Sequence, residues 1–61
     1  MNITPLTMFE CKDGTFWLAK DFPIKGLVPA CQLDKDGNYL KHRGIFVTHR
    51  DIPVEEIKSI V

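Results

Sequence analysis

Four side chains in the 61-residue sequence have the chemistry of soft metal ligands, or of a nucleophile with its base: Cys11, Cys31, His42 and His49. They lie 20, 11 and 7 positions apart. The sequence therefore lacks the Cys-x-x-Cys or His-x₃₋₅-His pairs that preform half of a tetrahedral zinc site. We expect reduced cysteines that fill the core, histidines on strand surfaces, and no metal site.

Catalysis is not indicated either. A thiol or hydroxyl nucleophile needs a base that a third group orients, and neither a nucleophile-elbow motif nor a glycine-rich phosphate loop occurs. A core built from 61 residues is thin, so we do not expect it to form a pocket of several hundred Å³. The sequence predicts a protein that is not an enzyme.

One acidic segment resembles the start of a calcium-binding loop. Residues 34–38 read Asp-Lys-Asp-Gly-Asn, but Tyr39 occupies the sixth position, where an EF-hand needs Gly. Ile45 occupies the twelfth position, where a bidentate Glu is needed. We therefore interpret the segment as a turn and expect no metal and no other cofactor.

The residues that favour binding to a macromolecule are aromatic or basic. They are Trp17, Tyr39, Lys41, His42, Arg43, His49 and Arg50. The basic ones would follow a phosphate backbone while Trp17 or Tyr39 stacks on a base. The alternative is a solvated strand face whose charges prevent sheets from pairing edge to edge.

The distribution of charge bears on this choice. The net charge is zero, with 8 Lys and Arg against 8 Asp and Glu. Residues 1–34 sum to −1, residues 35–50 to +3 and residues 51–61 to −2. A neutral total argues against a protein that mainly coats nucleic acid, because such domains are strongly basic.

The first element that the sequence predicts is a hairpin. Residues 7–12 and 15–20 flank Asp13-Gly14, and Asp-Gly between two β-prone segments favours a two-residue turn. Such a turn pairs Lys12 with Thr15, Cys11 with Phe16, Glu10 with Trp17 and Phe9 with Leu18. One face then holds Phe9, Cys11, Phe16 and Leu18 as the core, and the other holds Met8, Glu10, Lys12, Thr15 and Trp17.

The expected exposure of Trp17 makes it a candidate anchor for a protein partner, since interfaces favour Trp, Tyr, Met and Arg. In that case, replacing Trp17 with Ala weakens binding and leaves folding intact. The alternative is that the N-terminal segment or residues 22–24 cover the ring.

Later elements are also read as strands and turns. Residues 21–26 form a break, residues 27–33 a strand with Pro29 at an edge or bulge, and residues 34–38 a turn. Residues 39–48 are predicted as one long strand with a bulge at Gly44, and the rival interpretation makes residues 41–44 a turn with a basic tip. Residues 51–53 open a turn, residues 54–57 form one helical turn, and a last strand follows.

These elements predict an all-β protein, a single domain over residues 1–61: a small five-stranded antiparallel barrel with one short helical turn before the last strand. The segment Ile52-Pro53-Val54-Glu55-Glu56-Ile57-Lys58-Ser59-Ile60 resembles the end of a PRC-type barrel, within the Src-homology-3-like class. The resemblance covers about the last quarter of the chain. It implies a Src-homology-3-like barrel.

The sequence favours a non-enzymatic protein-binding module, a small regulator or inhibitor of a larger cytoplasmic protein. The alternative function is binding of RNA or single-stranded DNA through the basic residues 41–50. Exposed edge strands would also permit homo-oligomers. The first residues have no basic start and no long apolar run, so we expect neither a signal peptide nor a membrane anchor and place the protein in the cytoplasm.

Overall fold

A computed structural model describes residues 2–61 and contains mostly β-strands. The strands are β1 (Met8–Cys11), β2 (Phe16–Ala19), β3 (Leu27–Leu33), β4 (Lys41–His42), β5 (Phe46–Val47), β6 (His49–Pro53) and β7 (Ile57–Ile60). One 3₁₀ helix, Val54–Glu56, joins β6 to β7. The prediction of an all-β fold with one short helical turn before the last strand is confirmed.

Five of the strands form one antiparallel sheet in the order β6-β3-β2-β1-β7, and β4 and β5 form a separate two-stranded sheet. The strands β6 and β7 are consecutive in the chain yet lie at the two edges of the large sheet. No closed barrel is detected within residues 2–61. The structure therefore shows a five-stranded antiparallel sheet in place of the predicted five-stranded barrel.

The predicted register of the first hairpin is wrong by one residue. Gly14 N–H donates to the Cys11 carbonyl at 2.9 Å, and Cys11 N–H donates to the Thr15 carbonyl at 2.8 Å, so the loop has three residues. Gly14 has φ of +87° and takes the left-handed position that ends such a loop. As a result Phe9 pairs with Trp17 and Met8 with Leu18.

This shift exchanges the two faces of β2, because neighbouring residues of a strand point to opposite sides. Trp17 is 2% exposed and lies in the core, so the prediction that it lies on the polar outer face is wrong. Phe16 and Leu18, predicted as core, are half-buried on the other face. The core cluster contains Ile3, Phe9, Cys11, Trp17, Ala19, Val28, Ala30, Ile52 and Ile57.

Strand β3 matches the predicted residues 27–33, but Pro29 does not lie at an edge, because β2 and β6 flank β3 on its two sides. The Pro29 carbonyl accepts the Lys20 N–H at 2.8 Å, just beyond the end of β2 at Ala19. A residue's N–H and carbonyl point to the same neighbouring strand. The missing N–H of Pro29 therefore faces Lys20, one residue beyond the end of β2, so proline removes only the last donor of the β2–β3 ladder, which explains why it is tolerated.

The end of the chain differs from the prediction in one element. Residues 51–53 belong to β6, where Ile52 pairs with Val28 and is buried, so the predicted turn at Asp51-Ile52-Pro53 is wrong. The 3₁₀ helix follows Pro53 directly, and β7 then returns to pair with β1. Within residues 2–61, no helix has the length and apolar character needed to cross a membrane.

Candidate functional site

Residues 39–48 form a projecting hairpin, which we call the arm. The prediction of one bulged strand over these residues is wrong. The rival interpretation, a turn over residues 41–44 with a basic tip, holds in part: Arg43 lies in a turn at the tip, whereas Lys41 and His42 form a strand. Strands β4 and β5 pair Lys41 with Val47 and His42 with Phe46. The Ile45 N–H donates to the His42 carbonyl at 3.2 Å and closes a β-turn over Arg43 and Gly44, and the pairing of His42 with Phe46 leaves a three-residue hairpin loop, residues 43–45.

The base of the arm is fixed to the end of β3, where Tyr39 pairs with Leu33 and Gln32 binds both sides of the arm. Leu40 N–H donates to the Gln32 carbonyl at 3.0 Å, and Gln32 N–H donates to the Thr48 carbonyl at 2.9 Å. The two ends of the arm are therefore held side by side against the large sheet. A side-chain hydrogen bond of 2.5 Å between Thr48 Oγ1 and His42 Nε2 strengthens the same junction.

The tip of the arm has an unusual backbone. Arg43 has φ of +53° and Gly44 has φ of +77°. Two consecutive residues with positive φ are typical of the type I′ turn, whose twist matches that of the flanking strands. Glycine adopts this conformation freely, whereas a long side chain such as that of Arg43 adopts it at some cost.

The arm carries apolar side chains that the rest of the protein does not cover. Ile45 is 71% exposed, Phe46 58% and Tyr39 49%. The basic residues Lys41 and Arg43 are exposed in the same hairpin. From residue 37 to residue 50 the sequence contains no Asp or Glu, so no carboxylate within the arm offsets its positive charge.

The structure brings together only part of the predicted binding set. Tyr39, Lys41, His42 and Arg43 all lie exposed in the arm. His49 and Arg50 lie on β6, and Trp17 lies in the core. The sequence-based set missed Ile45 and Phe46, the two most exposed apolar residues of the arm. No local signal singles them out, because the Arg43-Gly44 pair is compatible with a bulge or a turn and only the turn places both residues on a projecting hairpin.

A pocket of about 300 Å³ lies between the tip of the first hairpin, strand β6 and the 3₁₀ helix. The prediction that so small a protein would not form one is wrong. Its residues divide into an apolar floor and a polar rim: Cys11, Trp17 and Ile52 below, and Lys12, Asp13, Thr15, Arg50 and Glu56 around.

A hydrogen-bonded series links the floor of this pocket to its rim. Trp17 Nε1–H donates to Thr15 Oγ1 at 2.7 Å, and the Thr15 hydroxyl donates to Asp13 Oδ1 at 2.6 Å. The Thr15 N–H also donates to Asp13 Oδ1, at 3.0 Å. The polar atom of the buried tryptophan is thereby satisfied, and the hairpin tip is tied to the core.

The same contacts change the acidity of two groups at the pocket. The hydrogen bonds from the Thr15 hydroxyl and N–H lower the pKa of Asp13, because they stabilise the carboxylate. Burial raises the pKa of the Cys11 thiol, and the negative charge of Asp13 raises it further. Cys11 is therefore a protonated thiol at neutral pH and a poor nucleophile.

Arg50 covers the floor of the pocket. Its guanidinium carbon lies 5.7 Å from the centroid of the Trp17 ring, within the range of a cation–π interaction. Its Nη2 atom lies 3.7 Å from Glu56 Oε2, and both side chains are about half exposed. Arg50 is thus directed at the pocket rather than at the arm.

A third cluster surrounds His49. Cys31 Sγ lies 3.3 Å and Lys20 Nζ 3.1 Å from His49 Nδ1. Both cysteines are free and buried. No group of three or more His, Cys, Asp or Glu that could hold a metal ion occurs among residues 2–61.

No protein-family model, no curated protein and no solved structure matches this chain.

Proposed function

We propose that this chain is a non-enzymatic protein-binding module, a small regulator or inhibitor of a larger protein, and that it binds through the arm. The observation that carries the proposal is the exposure of Ile45 and Phe46 on a projecting hairpin. Neither side chain belongs to the core cluster. Covering each of them with a partner would contribute about 1 to 2 kcal/mol.

The charge of the arm defines the partner surface. Lys41 and Arg43 are exposed beside the apolar side chains, and the arm has no carboxylate. Complementary potential favours a partner with an acidic surface around an apolar pocket, and it raises the rate of association. Tyr39 and Arg43 also belong to the residue types that contribute most at protein interfaces.

The shape of the large sheet and the cellular location of the protein are further parts of the proposal. We infer that the large sheet curls into a Src-homology-3-like barrel, because a helix of only three residues joins its two edge strands. Two free, buried cysteines fit a cytoplasmic protein, where thiols stay reduced. Any length of β6 and β7 that such a barrel leaves unpaired is where a second copy would add in a homo-oligomer.

The test is a pull-down from native lysate, with and without nuclease, using matched variants. Phe46→Ala removes an exposed ring from the arm, and Phe22→Ala removes one of nearly equal exposure, 56%, from the 21–26 break. We expect a stoichiometric protein that is retained by wild type and Phe22→Ala, survives nuclease and is lost with Phe46→Ala. With the isolated partner, Phe46→Ala should weaken binding about 5- to 30-fold.

Two results would oppose the proposal. Equal retention by Phe46→Ala and Phe22→Ala would mean that the arm does not bind the partner. Lys41→Glu reverses a charge in the arm. If this variant retained the partner as well as wild type does, the partner surface that meets the arm would not be acidic.

The second candidate function is binding of RNA or single-stranded DNA through residues 41–50. The observation that favours it is the exposure of Lys41, His42 and Arg43 close to the rings of Tyr39 and Phe46. Basic side chains between aromatic ones are typical of single-strand binding. Ile45 favours a protein partner instead, since an aliphatic side chain does not stack on a base.

This candidate predicts binding that weakens steeply as salt rises. Fluorescence anisotropy of a labelled oligonucleotide at 50 and 200 mM salt measures it. The absence of binding at the lower salt concentration would reject it.

A further inference from the structure

A second surface of the protein, separate from the arm, has the composition of a binding site for a positively charged group. It is the pocket of about 300 Å³ whose floor includes the Trp17 ring and whose rim includes the carboxylates of Asp13 and Glu56. A cavity of this volume is at the lower end of the range found for ligand sites. Its size suits a single side chain rather than a cofactor.

Arg50 indicates which chemistry the pocket accepts. Its guanidinium lies 5.7 Å from the Trp17 ring centroid and 3.7 Å from a Glu56 oxygen. An aromatic face and a carboxylate are the two features by which proteins recognise guanidinium and ammonium groups. The chain's own arginine thus marks the position of a cation over the ring.

The hold on Arg50 is weak. The ion pair with Glu56 is long, both side chains are about half exposed, and no other ion pair to Arg50 occurs among residues 2–61. Exposed pairs of this kind contribute little to stability, and a long side chain gains rotational freedom when it is released. A competing cation can therefore displace Arg50 without disturbing the sheet.

The other rim groups remain in place when Arg50 moves. Asp13 is fixed by two hydrogen bonds from Thr15, which also receives the indole N–H of Trp17. The pocket then presents a rigid aromatic ring with two carboxylates and one cation, Lys12, at its rim. Its potential becomes negative when Arg50 leaves, which is the condition for binding a positive group.

We propose that this pocket binds an arginine or lysine side chain of a protein partner, and that Arg50 covers the Trp17 ring until that side chain displaces it. The site differs from the arm in position and in charge preference. It does not depend on the proposed function of the arm.

Trp17 is the only tryptophan of the chain, and its indole N–H gives one signal in a ¹⁵N–¹H spectrum. The probe is the blocked peptide acetyl-Gly-Arg-Gly-amide, and acetyl-Gly-Gln-Gly-amide and acetyl-Gly-Glu-Gly-amide are the controls. We expect the arginine peptide to shift the Trp17 signal in a saturable way. The glutamine and glutamate peptides should leave it unchanged.

Two variants test the mechanism. Arg50→Met removes the cover and keeps an apolar side chain, so it should tighten binding of the arginine peptide about 3- to 10-fold. Glu56→Gln removes one carboxylate without changing its shape and should weaken binding by a similar factor. The two variants are expected to change the affinity for the arginine peptide in opposite directions. Either one alone therefore tests the proposal if the other fails to fold.

Several results would overturn the proposal. One is the absence of any shift by the arginine peptide in both wild type and Arg50→Met. Another is a shift by the glutamate peptide that is present in wild type and lost in Arg50→Met, which would make Arg50 itself the binding group for an anion. Equal affinity for the arginine peptide in wild type and Glu56→Gln would exclude recognition by the rim carboxylate.

Discussion

Replacing Trp17 with Ala should unfold the protein rather than spare its fold. Trp17 is 2% exposed and pairs directly with Phe9, which is fully buried. An indole side chain buries about 200 Å², which corresponds to about 5 kcal/mol at about 25 cal/mol per Å². Measured Trp→Ala changes in cores cost about 3 to 5 kcal/mol. A 61-residue domain at about 0.05 to 0.15 kcal/mol per residue has about 3 to 9 kcal/mol in total.

Urea unfolding followed by far-ultraviolet circular dichroism measures this loss, with Trp17→Phe as the matched variant. Trp17→Phe keeps a ring in the core and removes the hydrogen bond to Thr15, so it should cost about 1 to 2 kcal/mol and retain a cooperative transition. We expect Trp17→Ala to show no cooperative transition, or one reduced by at least about 3 kcal/mol. A loss below about 1 kcal/mol for Trp17→Ala would refute the burial argument and restore Trp17 as a surface anchor.

Three further predictions concern the two hairpin tips. The hydrogen bonds from Thr15 lower the pKa of Asp13 from 3.8, so the carboxylate stabilises the fold above pH 3.8 and this contribution is lost as pH falls through the lowered pKa. The urea midpoints at pH 6 and pH 2.5 should therefore differ less for Asp13→Asn than for wild type. Equal differences in the two proteins would contradict this. Arg43→Asn should raise the free energy of unfolding by about 0.5 kcal/mol, seen as a higher urea midpoint, because Asn adopts positive φ more readily. A lower midpoint would show that the tip is not strained. The Cys11 thiol, with its raised pKa, should react with iodoacetamide at pH 8 far more slowly in the folded than in the urea-unfolded protein, and equal rates would contradict its burial.

The first hairpin shows how a correct local signal gave an incorrect face. Asp13-Gly14 does mark the turn, but the same dipeptide serves a two-residue loop with two positive φ angles and a three-residue loop with one. Only Gly14 has positive φ here. The choice is made by packing, since the three-residue loop places Trp17 opposite Phe9 in the core. Both faces of β2 carry large apolar residues, so the sequence pattern does not show which face is buried.

The arm illustrates the reverse case. The alternation of residues 39–48 favours one strand, and nothing local to the segment decides between a bulge and a turn at Gly44. What decides it is Gln32, whose N–H and carbonyl bind both Thr48 and Leu40. Those two bonds require the chain to leave β3 and return to the same residue. The basic residues were predicted from the sequence, whereas their grouping with Ile45 and Phe46 depends on a contact with a distant strand.

The position of Arg50 divides the basic stretch between two surfaces. Residues 35–50 sum to +3, but the Arg50 guanidinium lies over Trp17, so the arm itself holds only Lys41 and Arg43 as permanent charges. Two phosphate contacts to a single strand would weaken binding about 7-fold between 50 and 200 mM salt, and three would weaken it about 20-fold. A weakening of about 7-fold would mean that only Lys41 and Arg43 contact phosphates and that Arg50 stays over Trp17. The larger value would require Arg50 to leave the ring and join the arm, and Arg50→Met would then reduce the effect to the smaller value.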